Sequence, residues 1–241
     1  MDVGGVTSAL HQLLSRAEID KAQALIAIGD SIASFRVFSV PASATDQDID
    51  AIATREFPVD PDRMSSVWTE VSRNAEHRAV YVAVWDRTYV KRATEVAKAA
   101  GLETVAVELK SSCVARAVSE PSCVVVDMSS DPIEIFLIDD HVPQLWHSIQ
   151  LTIAVDEDGG AALVGPLRQV VRFYERRHAF GFGSGSPILI VGEQLIPRQV
   201  MANISTRLGH PVKPMNPPPR VRPEVRHDAY LACLGLIMRR G

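Results

Sequence analysis

Cysteine is scarce in this chain. Three residues, Cys113, Cys123 and Cys233, are spread over 241 positions, with no CxxC pair and no His/Cys cluster. That argues against a disulfide framework or zinc knuckle and for a reduced, intracellular protein with buried thiols. The seven histidines (His11, His77, His141, His147, His178, His210 and His227) show no HxxxH metal spacing. No Ser or Cys stands in a nucleophile-elbow pattern. The chemistry of an ordinary small-molecule enzyme therefore has no visible constellation to carry it. No apolar run approaches the ~20 residues that cross a bilayer, and the opening MDVGGVTSAL lacks the charged and apolar regions of a signal peptide. A soluble cytoplasmic protein, meeting a membrane only through partners, is the expectation.

What the chain does have is apolar mass. Hydrophobic residues make up 46% and charged residues 22%, enough to build a sizeable core and too little charge for a mainly disordered chain. The net charge of -4 carries no nucleic-acid signature. The charge is unevenly spread: from Arg168 onward twelve Arg/Lys face four Asp/Glu, a surplus of eight positive charges. Such a surplus marks either a face for an acidic partner or lipid headgroups, or an ordinary solvated face.

The most informative stretch is Ser122–Ile138, SCVVVDMSSDPIEIFLI. Cys123–Val126 is a short β-branched run suited to a strand covered on both faces. Asp127 ends it, turn formers follow, and Ile133–Ile138 gives a second strand. An acidic residue closing a buried strand before a small-residue hairpin suits a phosphate or a metal ion; a hairpin with a polar tip is the plainer alternative.

The remaining pattern alternates strands and helices. Helical spacing covers Ser8–Ala17. Ala22–Ile28 and Phe35–Val40 read as strands joined by a Gly29-Asp30-Ser31 hairpin turn. Thr45 with Asp48 three residues on is a capping-box variant opening a helix that Phe57 closes. Met64–Val71 and Ala79–Trp85 are strands, Thr88–Ala100 an amphipathic helix stopped by Gly101, Thr104–Leu109 a strand and Ser111–Val118 a short helix. Leu145–Val155 reads as a strand, and Ala161–His178 as a helix whose regular part starts at Pro166. Gly181–Ser186 is a linker and not a nucleotide loop, because it precedes a strand. Ile188–Val191 is a buried strand, Leu195–Leu208 a helix closed by Gly209, Pro211–Pro223 an extended proline strap, and His227–Met238 a closing helix. The class is α/β.

The run IDAIATREFPVDPDRMSSVWTEV followed by AVYVAVWDRTYVKRATEVAKAAGLETVAVELKSSCVARAV resembles the inserted subdomain of the type IV pilus assembly protein PilM family, relatives of the actin homologue FtsA. VVVDMSSDPIEIFLIDDHVPQLWHSI is similar to that family's second phosphate hairpin, PLRQVVRFYERR to its next helix, and ILIVGEQL, RLGHPVKPMNPP and YLACLGLIMR to its adenosine-site strand, strap and terminal helix. The resemblance implies an actin-like (ribonuclease H-like) α/β fold. It divides the chain into a partial first actin-like subdomain at 1–43, an inserted α+β subdomain at 44–119 and a shortened second actin-like subdomain at 120–241. The chain opens after the family's first D-x-G phosphate hairpin.

The departures bear on function. The resemblance maps a vestigial ATP site onto Asp127, Ser129, Gly192 and Glu193, with Asp127 as the group that would meet Mg²⁺. Ser129 stands where the family has glycine, and a Cβ obstructs close approach to a phosphate. Only Gly192 remains of a glycine pair, and Glu193 adds negative charge. DEDGG (Asp156–Gly160) replaces most of a longer stretch. The implied function is a cytoplasmic pilus-assembly scaffold that holds the N-terminal tail of a PilN-like inner-membrane protein by extended-peptide recognition. It would use no cofactor or hold ATP and Mg²⁺ weakly, bind no nucleic acid, and work as a monomer or a homo-oligomer. Two alternatives stay open: a nucleotide-binding ATPase of the PilM type, and a type II secretion scaffold.

Overall fold

The computed structural model describes residues 3–57, 60, 62–129, 131–151, 155, 158–176, 182–183, 185–192, 196–218, 221–222, 225–226 and 229–239. The chain divides after Lys110 into two units.

The first unit contains α1 (Val3–Arg16), β1 (Ala22–Ile28), β2 (Ala33–Pro41), α2 (Asp46–Glu56), β3 (Met64–Arg73), β4 (His77–Asp86), α3 (Arg87–Ala99) and β5 (Leu102–Leu109). β1 and β5 pair in parallel, and α3 packs on both, with α1 against α3. A ring nitrogen of His11 on α1 meets the Ala99 carbonyl at 3.0 Å. β2, β4 and β3 form a separate antiparallel sheet in that order. Its apolar face buries Val40, Val80, Val82 and Val84 against Ile49, Ala53 and Phe57 at the α2 side. The Thr45 capping box forms as expected: the Asp48 N–H donates to Thr45 Oγ1, and the Thr45 N–H donates to the Asp48 carboxylate at 2.7 Å.

The expected hairpin across Gly29–Ser31 does not form. A 3-10 turn, Asp30–Ile32, carries the chain from one sheet to another, so β1 and β2 never pair. β1 is apolar without alternation, which suits a parallel partner, whereas β2 finds an antiparallel one in β4. Strand pairing thus crosses the expected segments 1–43 and 44–119. β2, from the first, joins β4 and β3, and β5, from the second, joins β1.

Arg78 ties the three-stranded sheet to its surroundings. Its Nη2 donates to the Ala44 carbonyl at 2.6 Å, its Nη1 reaches Glu70 at 3.3 Å, and its guanidinium lies 5.5 Å from the centre of the Trp68 ring. Arg73 forks onto the same Glu70 carboxylate at 2.8 and 2.7 Å.

The second unit starts within α4 (Lys110–Ala117). It continues through β6 (Cys123–Asp127), β7 (Ile133–Asp139), β8 (Val142–Ile149), α5 (Ala161–Glu175), β9 (Ile188–Val191), α6 (Arg198–Leu208), β10 (Val212–Pro214) and α7 (Leu231–Ile237). One mixed sheet runs β10-β9-β6-β7-β8; β10, β9 and β6 are parallel, and β7 and β8 antiparallel. Alternation along the strands sorts side chains to two faces. Val124, Val126, Ile135, Leu137, Ile188 and Ile190 meet α5 and α6 on one face. Cys123, Val125, Phe136, Ile138, Leu189 and Val191 meet α4 and Leu231 of α7 on the other.

Three expectations shift here. β8 stops at Ile149, so the strand expected to Val155 is shorter, and residues 152–154 lie outside the described ones. α5 starts at Ala161 and carries Pro166 inside it. Asp158 makes this early start by accepting the N–H groups of Gly160 and Ala162 at 2.9 and 2.7 Å. The proline strap contributes an edge strand, β10; Pro214 fits there because an edge position needs no second ladder donor.

Gly235 on α7 sits so close to α4 that a β-carbon would overlap the Cys113 backbone carbonyl. Arg116 reinforces that contact, donating to the Gly235 carbonyl at 2.7 Å.

Two predictions follow from this packing. Val125 and Leu189 are fully buried, so truncating either to Ala should lower unfolding free energy by about 2–4 kcal/mol in urea titration. Gly235→Ala should also destabilise, although Ala is the better helix former by ~1 kcal/mol; an unchanged or raised urea midpoint would refute the α4–α7 contact.

A third concerns pH. The Arg73 fork holds the Glu70 carboxyl down to about 2, against the upward push of desolvation and with help from Arg78. The folded carboxylate therefore titrates below its ordinary 4.5. Its stabilising contribution is complete above that value and is lost as pH falls towards 2. Between those limits Tm should fall more steeply for the wild type than for Glu70→Gln; parallel curves would count against it.

Candidate functional site

The site expected from sequence lies where the parallel strands β6 and β9 end. Ligands of open α/β sheets gather at the carboxyl ends of strands where the order changes direction, and β6 is flanked by parallel β9 and antiparallel β7. Asp127 closes β6 opposite Val191, and the Met128 N–H donates to the Val191 carbonyl at 2.8 Å.

Asp127 is buried, 4% exposed. Its Oδ1 accepts the Ser129 N–H at 2.9 Å and the Ser129 hydroxyl. The turn thus closes on itself, the arrangement that Asp and Ser side chains favour in tight turns. Gly192 lies against it: a β-carbon there would come within 2.8 Å of both Met128 C and Ser129 N. Its φ of +124° is a conformation other residues rarely adopt. The structure brings Gly192 against the turn of Asp127 and Ser129, which precede it by 65 and 63 positions in the sequence. Glu193 lies outside the described residues.

Chemically, this turn differs from a phosphate cradle in one respect. A cradle presents several backbone N–H groups outward to the anion; here the Ser129 N–H is turned to the Asp127 carboxylate. Among the described residues no group of three His, Cys, Asp or Glu is placed to hold a metal ion.

A second polar cluster escaped the sequence reading. Asp139, at the end of β7, accepts the Tyr174 hydroxyl at 2.6 Å and the Ser122 hydroxyl at 2.6 Å. Burial, then the hydrogen bond and charge of Asp139, push the Tyr174 phenol above its ordinary range. Tyr174 also meets Phe182 edge to face, and Phe182 meets His210. The cluster braces α5 against the sheet; the only signal in the sequence was the inward position of Tyr174 on its helix. The Cys123 thiol is pushed up to about 12 by burial first and by Glu120 second, which keeps it protonated and unreactive.

Gly192→Ala should destabilise the protein by about 1–3 kcal/mol, since it combines a strained φ with a backbone clash. Ser129→Gly should be tolerated far better. Urea titration of the two variants checks the contact, and equal stabilities would refute it.

No family model matches the sequence, and no curated protein matches it. Solved structures do. The PilM-PilN type IV pilus biogenesis complex superposes with a TM-score of 0.70 at 19% identity, covering 96% of this chain and 83% of that one. The ethanolamine utilization protein EutJ from Carboxydothermus hydrogenoformans gives 0.52 at 15% identity, covering 98% and 74%. The cytoplasmic domain of Epsl, an inner membrane component of the type II secretion system of Vibrio cholerae, gives 0.55 at 11% identity, covering 98% and 82%. At these identities the likeness is one of fold, and the fold is the α/β actin-like one that the sequence resemblance implied.

Proposed function

We propose that this chain is a cytoplasmic scaffold of a type IV pilus or related secretion machine, which holds the extended tail of a PilN-like inner-membrane protein and does not depend on ATP turnover. The observation that carries this reading is the fold likeness to the PilM-PilN complex along 96% of the chain. The likeness to the Epsl cytoplasmic domain supports the broader secretion-scaffold form of the same reading. No helix among the described residues is long and apolar enough to cross a membrane, which fits a chain recruited to the bilayer by its partners.

The turn at Asp127 supports the second half. A nucleotide would compete with the Asp127 carboxylate for the Ser129 N–H. Each charge-assisted phosphate hydrogen bond that is missing costs ~1.5–3 kcal/mol. Ser129 in place of glycine and the charge of Glu193 disfavour further contacts, and losing two or three such bonds moves a micromolar site to roughly millimolar or weaker.

Titration calorimetry with Mg-ATP should give a dissociation constant of roughly millimolar or weaker. Low-micromolar binding abolished by Asp127→Ala would put the ATPase reading first. In parallel, a labelled N-terminal peptide of a PilN-like protein should bind saturably in fluorescence anisotropy; a flat titration would sink the scaffold reading.

A further inference from the structure

We propose that the arginine-bearing surface of α5 and α6 docks on an anionic lipid bilayer. This rests on the reading of the chain as a scaffold working beside an inner membrane, and adds a direct lipid contact to it.

The surface is built by helical spacing. α5 buries Leu163, Leu167, Val170, Val171 and Tyr174 and leaves Arg168, Arg172 and Arg176 exposed. A spacing of four puts these arginines in one line, spanning about 12 Å. α6 packs alongside α5. The Arg168 side chain donates to the Arg207 carbonyl at 3.1 Å, which sets the exposed Arg207 of the last α6 turn beside the line. No carboxylate of a described residue pairs with any of the four.

Two bland explanations fall short. Solubility is served by alternating signs, whereas three arginines share this face with one exposed carboxylate, Glu175, and like charges four apart weaken a helix. Helix dipoles favour cations at the C-terminal ends of α5 and α6, yet they do not account for Phe173, 43% exposed in the same stretch. An exposed aromatic residue next in sequence to Arg172 suits the boundary of a bilayer, where the ring enters the headgroup layer and the cations meet phosphate.

The occupant follows from shape and charge. The four arginines stand on helices or at a helix end, and none of them lies on a strand whose edge could order a peptide backbone. Lipid headgroups need none, because they move laterally to meet each guanidinium fork. The sequence is also polarised: residues 168–241 carry a surplus of eight positive charges, and the remainder an excess of twelve negative ones, from the total of -4. An anionic leaflet attracts the first part and repels the second.

The test is sedimentation of the full chain with vesicles of phosphatidylcholine, alone or mixed equally with phosphatidylglycerol, with no partner protein present. The wild type should bind the mixed vesicles alone and lose binding as salt is raised. R168Q/R172Q/R176Q should bind about 100-fold more weakly, and R172Q alone about fivefold. The circular dichroism of both variants should match the wild type; R172Q keeps the test intact should the triple variant unfold. Absence of wild-type binding, or equal binding by folded variants, would overturn the proposal. Capture of poly-glutamate through the same arginines without vesicle binding would overturn it in favour of an acidic protein partner. Failure here leaves the peptide titration untouched, so the two readings fail separately.

Discussion

The second unit depends on the burial of β6 on every side. Its five residues are covered above and below by helices and flanked by β9 and β7. A strand so placed must satisfy all its backbone groups within the sheet, and it does so through parallel and antiparallel ladders at once. That double demand fixes where β6 ends, and so where Asp127 stands. Asp127 is the first polar side chain after the apolar run, buried to 4% exposure, and its carboxylate has to be satisfied locally. The Ser129 N–H and hydroxyl provide this.

The functional reading grows from the same constraint. A turn that meets its own hydrogen-bonding needs is stable without a ligand. In a site that keeps nucleotide, ligand oxygens serve as the acceptors. Here the acceptor is part of the chain, and the Gly192 backbone closes on the turn from β9. The fold does not depend on the site's being filled, because the sheet core is built from Val, Ile, Leu and Phe side chains and not from the turn. Under the proposed function, what such a fold offers is surface, for a partner's tail and, as proposed, for a bilayer.

How much of this was legible varies with the range of the interaction. The six core positions Val124–Val126 and Ile188–Ile190 were identifiable from β-branched runs of the right length, and all are buried. The Thr45–Asp48 capping box was legible because both partners lie within one turn. The β1–β2 hairpin was misread because a turn signal says that the chain bends, not which strand it then meets. The start of α5 was misplaced because Pro166 outweighed the Asp158 cap, whose effect appears only once Gly160 adopts its left-handed conformation.

The sequence by itself determined the periodicities: which segments are strands or helices, which side of each is apolar, and that Asp127 would terminate a buried strand. These depend on contacts within a few residues and on hydrophobic alternation, both of which are written along the chain. Only the tertiary structure decided that β2 leaves β1 for β4, that Gly235 must be glycine because of Cys113, and that Tyr174 and Ser122 share Asp139. It also decided that Gly192 lies on the Ser129 turn. Each joins residues far apart in sequence through close packing or a directional hydrogen bond, and neither leaves a periodic trace in composition.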